Sequence, residues 1–190
     1  VGGDGTFLRR PGYDVPLTVV LGDSVKHVGN FLSSYECIDN LTIGENVETI
    51  GEYAFGWCVG LKNVKIPDSV CDIGADAFLE CDGLTSVTLG NGVTNIGAYA
   101  FGACDDLTSV TFGNGVANID DWAFAYCTSL TNIVFEGNVP AIGTGCFTNA
   151  NPSCTVYVKR GTTGWGVDIP GTWNGLAIKY MTPESKTVYV

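Results

Sequence analysis

Leu84-x-x-Val87-x-Leu89-Gly90-Asn91-Gly92-Val93-x-x-Ile96-Gly97-x-x-Ala100-Phe101-x-x-Cys104 is followed, 23 residues after Leu84, by a second copy. Leu107, Val110, Phe112, Val116, Ile119, Ala123, Phe124 and Cys127 fill the same slots, and Leu130 opens a third unit. A fixed period of this length describes coils of a solenoid. One coil cannot bury its apolar face alone and must stack on its neighbours. Such a molecule offers an extended surface rather than an internal reaction chamber.

By the first apolar slot, units begin at Pro16, Ile38, Leu61, Leu84, Leu107, Leu130 and Ser153. The outer units drift, as expected where a coil has one neighbour. The array therefore spans 16–158 in about seven units. Residues 1–15 read as a leader or N-terminal cap. Residues 159–181, with Trp165 and Trp173 among Gly and Pro, read as a C-terminal cap. Residues 182–190 read as linker or the start of a following domain, so the chain has the look of a piece of a longer protein.

Within a unit, Ser86-Val87-Thr88-Leu89 alternates with period 2 and β-branched residues, which predicts a short strand with Val87 and Leu89 facing in. Gly90-Asn91-Gly92 and Gly113-Asn114-Gly115 are expected to turn the chain off the sheet through positive φ. Ile96, Ala100 and Phe101 have helix-like spacing in a segment too short for a free-standing helix, so a single α or 3-10 turn is expected. Phe55, Phe78, Phe101, Phe124 and Phe147 should then form a stacked spine.

The L-x-x-L-x-L opening resembles a leucine-rich repeat. Ile50-Gly51-x-x-Ala54-Phe55-x-x-Cys58, Ile73-Gly74-x-x-Ala77-Phe78-x-x-Cys81 and Ile96-Gly97-x-x-Ala100-Phe101-x-x-Cys104 are similar to the BspA-like, Treponema-type branch of that family. In the following units Asp120 stands in the glycine slot and Cys146 in the alanine slot. The resemblance implies an α/β solenoid: a right-handed coil with one parallel sheet and short helical or 3-10 turns on the return side. It also implies a secreted or surface-displayed bacterial protein. Several relatives are adhesins for host matrix proteins, and the family supplies no catalytic residues to carry over.

The chain carries 9 basic and 20 acidic residues, a net charge of −11. Between 16 and 158 three basic residues (Lys26, Lys62, Lys65) face sixteen acidic ones. Such a surface repels phosphate backbones and anionic lipid, which disfavours nucleic acid and direct membrane binding. No run of 18 apolar residues occurs that would span a bilayer as a helix.

Eight cysteines in a secreted chain ordinarily suggest four disulfides. Here Cys58, Cys81, Cys104 and Cys127 share one slot, held in outer units by Tyr35 and Ala150. That slot wants a packed side chain. Neighbouring coils bring the Cα atoms within bonding range, but parallel Cβ vectors make the S–S torsion hard to reach, so reduced, buried thiols are expected. A linear column does not converge as zinc ligands must. Cys146 should be buried, and Cys71, among turn residues, is the best candidate for an exposed thiol.

Catalytic constellations are lacking. His27 is the single histidine, and no G-x-S-x-G, H-E-x-x-H or P-loop occurs. Asp105-Asp106 and Asp120-Asp121 read as solvated acidic pairs more readily than as calcium ligands. The chain is expected to be no enzyme and to need no cofactor or metal.

Two surfaces remain. The outward column of the strands reads Thr42, Lys65, Thr88, Thr111, Val134 and Tyr157, a mildly polar strip suited to a long, weakly held protein. On the return side Tyr53/Trp57 and Trp122/Tyr126 lie four apart, with Tyr99 between; such pairs stack on sugar rings, anchor a protein partner or shield the edge of the core. The expectation is an extracellular or cell-surface binding domain, monomeric, that recognises a host or neighbouring-cell protein or glycan. The alternative is a rigid spacer in a larger surface protein.

Overall fold

The computed structural model describes residues 16–182. The leader 1–15 and, from 183 on, the segment read as linker or the start of a following domain lie outside the described residues. Two series of parallel strands alternate along the chain. The longer series comprises β1 (Leu17–Leu21), β3 (Ile38–Ile43), β5 (Asn63–Ile66), β7 (Ser86–Leu89), β9 (Ser109–Phe112), β11 (Asn132–Phe135) and β13 (Thr155–Val158). The shorter series has two residues per coil: β2 (His27–Val28), β4 (Thr49–Ile50), β6 (Asp72–Ile73), β8 (Asn95–Ile96), β10 (Asn118–Ile119) and β12 (Ala141–Ile142). β14 (Gly171–Trp173) and β15 (Leu176–Tyr180) follow.

The long strands carry the alternation read from the sequence. In β7, Val87 and Leu89 are buried and Thr88 is exposed. Their pairing is in register at the repeat period, Lys65 beside Thr88 beside Thr111 beside Val134 beside Tyr157. The sheet is seven-stranded in the order β14-β15-β13-β11-β9-β7-β5, while β1 and β3 form a separate pair. β15 runs parallel to β13 and β14 antiparallel to β15.

Three expectations are corrected. The fold is a β-solenoid and not α/β. Among the described residues the one helical element is the 3-10 turn Asn30–Leu32. Nor is there one parallel sheet, because the short strands build a second, six-stranded one. The reason lies in where the backbone hydrogen bonds go. Between Gly51 and Cys58 the amides of Tyr53, Phe55 and Trp57 donate to the carbonyls of Ala75, Ala77 and Leu79 in the next coil. Those of Ala54, Gly56 and Cys58 close three-residue turns onto Gly51, Tyr53 and Phe55. All six of these donors are used, and none of them is left to build an i→i−4 ladder. Left-handed φ values at Tyr53 (54°) and Trp57 (62°) interrupt the helical path.

The third correction concerns the glycine corners. Gly90, Asn91 and Gly92 do not have positive φ. Their small size serves proximity: a Cβ on Gly92 or Gly115 would fall on the carbonyl oxygen of Asp68 or Asn91 in the preceding coil.

The core is one continuous cluster. Phe55, Phe78, Phe101, Phe124 and Phe147 stack with centroids 5.1, 4.9, 5.0 and 5.9 Å apart. At the C-terminal end Trp165 and Trp173 are buried and meet Phe135 edge-on at 5.3 and 5.8 Å.

Candidate functional site

Because the long strands are in register, every inward side chain fixes an outward one, and the outward row is continuous from Lys65 to Tyr157. Thr42 lies one repeat period before Lys65, on β3, where it pairs with Val20 of β1. Thr42, Lys65 and Thr88 are exposed, and Thr111, Val134 and Tyr157 are half-buried. A shallow trough of about 250 Å³ runs over this row, lined by Lys65, Thr88 and Thr111 and edged by Glu45, Asp68 and Glu136. The three carboxylates were not singled out from the sequence. They come from corners 23 or more residues apart, and adding the repeat period to Glu45 reaches Asp68. A second depression of about 370 Å³ adjoins the trough at Glu45 and reaches Asp23, Lys26 and Glu48.

The corners beside this row are tied together by side chains. Asp68 Oδ1 accepts the backbone N–H of Asn91 at 2.6 Å, and Asn91 Oδ1 accepts that of Asn114 at 3.1 Å. On the second sheet Asp72 Oδ1 accepts from Asn95 Nδ2 at 2.5 Å, and Asn95 Oδ1 accepts from Asn118 Nδ2 at 2.8 Å. The hydrogen bond from Asn95, with a second from the Cys71 thiol, holds the Asp72 carboxyl below the usual carboxylate range. The first ladder ties together the corners that border the strand face, and the second ties the strands of the second sheet.

After the second sheet comes the turn segment with the aromatic pairs. Tyr53 and Trp57 stack at 5.6 Å and 9°, and Trp122 and Tyr126 at 6.5 Å and 12°. The pairs expected from four-residue spacing therefore form, without a helix beneath them. Tyr99 joins the second pair, stacking on Trp122 at 6.1 Å. The Trp57 indole N–H donates to Glu80 Oε2 at 3.1 Å, and the carboxylate of Asp76 beside Tyr53 raises the phenol's pKa by charge repulsion and hydrogen bonding. Asp76 and Glu80 were missed in the sequence, although each stands 23 residues after its aromatic partner.

His27 lies on β2, its Nδ1 2.8 Å from Thr49 Oγ1. Among the described residues no three His, Cys, Asp or Glu side chains gather as a metal site, and no helix is long and apolar enough to cross a membrane. All eight cysteines are free. The column thiols of Cys58, Cys81, Cys104 and Cys127 donate to the carbonyls of Leu32, Phe55, Phe78 and Phe101, each at 3.2 Å. Burial pushes Cys58 and Cys127 up to about 12 and raises Cys81 and Cys104 in the same direction.

Stacked coils of 23 residues with a long strand, a short strand and a closing turn define a repeat protein of the leucine-rich class. The chain belongs to the family described as the BspA type leucine rich repeat region, whose pattern matches residues 26–153 in six copies. Among solved structures it is similar to the leucine-rich repeat protein of T. pallidum, at 33% identity over 70% of this chain with a TM-score of 0.64. The match spans 62% of that protein. A leucine-rich cell surface protein from Faecalibacterium prausnitzii A2-165 is 25% identical, with 70% of this chain and 39% of that one covered and a TM-score of 0.41. A leucine-rich repeat protein from Bacteroides ovatus ATCC 8483 is 18% identical, with 85% and 60% covered and a TM-score of 0.43. No curated protein sequence is significantly similar. Repeat domains of this family are generally non-catalytic scaffolds for protein interaction.

Proposed function

We propose that the chain is a non-catalytic binding domain, displayed outside the cell, that holds an extended segment of a host or neighbouring-cell protein along the strand face. The observation that carries this reading is the in-register row from Lys65 to Tyr157 with its open trough over Lys65, Thr88 and Thr111. A row that presents one side chain per coil at strand spacing suits a linear ligand gripped weakly at many points. Small hydroxyls and one lysine give hydrogen bonds and register, while large anchors are few, so modest affinity is expected. An extracellular setting is supported by the family. A glycan ligand and the spacer role are the competing readings.

The test is a binding array of immobilised extracellular-matrix proteins and glycans probed with the chain. Any protein hit is repeated with a Lys65→Glu/Thr88→Glu/Thr111→Glu variant shown to be folded. Loss of at least tenfold in affinity supports the strand face. Unchanged binding places the ligand elsewhere, and absence of any hit supports the spacer.

A further inference from the structure

Two columns of left-handed residues run along the turn segment at the repeat period. One holds Tyr53, Asp76, Tyr99, Trp122 and Gly145; the other holds Trp57, Glu80, Ala103, Tyr126 and Asn149. Successive coils therefore present an aromatic pair, an acidic pair, a single tyrosine and a second aromatic pair. The rings lie parallel within 7–12°. Three consecutive atoms of the Trp122 benzo ring stand 2.9–3.0 Å from where a Gly145 Cβ would be. One point can be equidistant from three adjacent ring atoms only above the ring face. Trp122 thus lies flat on Gly145 and is half-buried, and its stacked neighbours Tyr99 and Tyr126 are exposed.

The carboxylates between the rings have no cation. Among the described residues the single salt bridge is Lys26–Glu48. Lys62, whose Nζ lies close to Gly83, makes none with Asp76, Glu80 or Asp82. Burial, followed by the charges of Asp105, Glu80 and Asp106, raises the Asp82 carboxyl, a sign of negative potential accumulating on this side. Asp120 and Asp121 continue it next to Trp122.

We propose that this turn face is a docking site for a cationic segment of a protein partner, with arginine or lysine side chains over the Tyr53–Trp57 and Tyr99–Trp122–Tyr126 rings and their charge met by Asp76 and Glu80. A cation over an aromatic face is attracted by the ring quadrupole, and a guanidinium stacks better than an ammonium. Carboxylates at the ring edge that hold no cation add charge-assisted hydrogen bonds and steer a basic partner toward the surface. A neutral sugar would use the ring faces alone, and a sulfated one would be repelled. The surface is separate from the strand face, so the inference does not rest on the preceding reading.

The probes are three fluorescein-labelled peptides built on (Gly-Ser-X)6 with X as Arg, Lys or Glu, titrated into the whole chain at low salt. The arginine peptide binds, the lysine peptide binds severalfold more weakly, and the glutamate peptide does not bind. Asp76→Asn/Glu80→Gln weakens the arginine peptide about tenfold, while Glu45→Gln/Glu136→Gln, which removes the same charge from the strand face, changes it less than twofold. Trp122→Ser weakens it about tenfold and Trp122→Phe keeps most of it. Should Trp122→Ser lower the unfolding midpoint, the exposed Tyr126→Ser replaces it. Equal losses from the two charge-removing pairs would mean diffuse attraction and overturn the proposal. So would full binding after ring removal, no binding of the arginine peptide, or a neutral oligosaccharide that depends on Trp122 where the peptide does not.

Discussion

The thiol of Cys104 donates to the carbonyl oxygen of Phe78, 26 residues earlier and one coil below, at 3.2 Å. The bond ties the end of one turn segment to the aromatic spine of the preceding coil and needs the sulfur protonated. Cys81 and Cys127 repeat it on Phe55 and Phe101.

Alkaline pH should therefore weaken the fold. Burial pushes Cys58, Cys127 and Cys146 from the ordinary 9.0 to about 12, and lifts Cys81 and Cys104 likewise. Below pH 9 folded and unfolded chains both keep these protons, and the stabilisation is complete. Above it the unfolded chain releases them and the folded chain does not, so each thiol costs about 1.4 kcal/mol per pH unit until its folded pKa is reached. Urea unfolding at pH 8, 9 and 10 should give falling free energies, with a shallower fall in Cys104→Ala. A free energy constant across that range would sink the argument.

Thiol accessibility gives a sharper count. Six cysteines are buried, and Cys37 and Cys71 are half-buried. A thiol reagent should label at most those two in the native chain and all eight after denaturation. Cys71 should react slowly, because its hydrogen bond to Asp72 and partial burial raise its pKa. Disulfides detected by mass in the native protein would contradict the bonding scheme of the column.

The aromatic spine should be unequal along its length. Phe101 is fully buried between rings at 4.9 and 5.0 Å, whereas Phe147 ends the stack at 5.9 Å and keeps 8% of its surface exposed. Phe101→Ala should cost about 3–5 kcal/mol through the cavity it leaves. Phe147→Ala should cost less, because an end position relaxes more readily. Equal losses in urea titrations would show that the stack does not behave as a column with a centre and an end.

The strands were legible because Val87 and Leu89 alternate with Ser86 and Thr88, and a period-2 pattern has one structural meaning. The turn segment was not. Ile96, Ala100 and Phe101 have helical spacing, yet the same spacing arises when overlapping turns carry left-handed residues at Tyr99 and Ala103. Side-chain periodicity cannot tell an amide bonded four residues back from one bonded to the next coil. The glycines misled for a related reason: Gly92 is small because Asp68 is close, and closeness between coils is invisible to local turn rules. Of the candidate surfaces, the strand row followed from the register. Both aromatic pairs followed from spacing, although a helix was the wrong reason. Asp76 and Glu80 needed the repeat period added to Tyr53 and Trp57.

The left-handed columns make a prediction that runs against the usual effect of glycine. Ala103 has φ 53° in a slot shared with Trp57, Glu80 and Tyr126. Its amide bonds the Ala125 carbonyl at 2.8 Å, so the conformation is held by the next coil and not chosen by the residue. An L-residue pays about 1–2 kcal/mol for that conformation and glycine pays none. Glycine recovers less than this, because it also loosens the unfolded chain. Ala103→Gly should thus raise stability by about 0.5–1 kcal/mol. Ala100, three residues earlier, lacks positive φ and is fully buried, so Ala100→Gly should destabilise by about 1 kcal/mol or more through lost packing and added chain entropy. Urea midpoints of the two variants measured side by side should move in opposite directions. If both fall by similar amounts, the left-handed cost at Ala103 is absorbed elsewhere in the coil, and inter-coil hydrogen bonding is not what holds the turn in place.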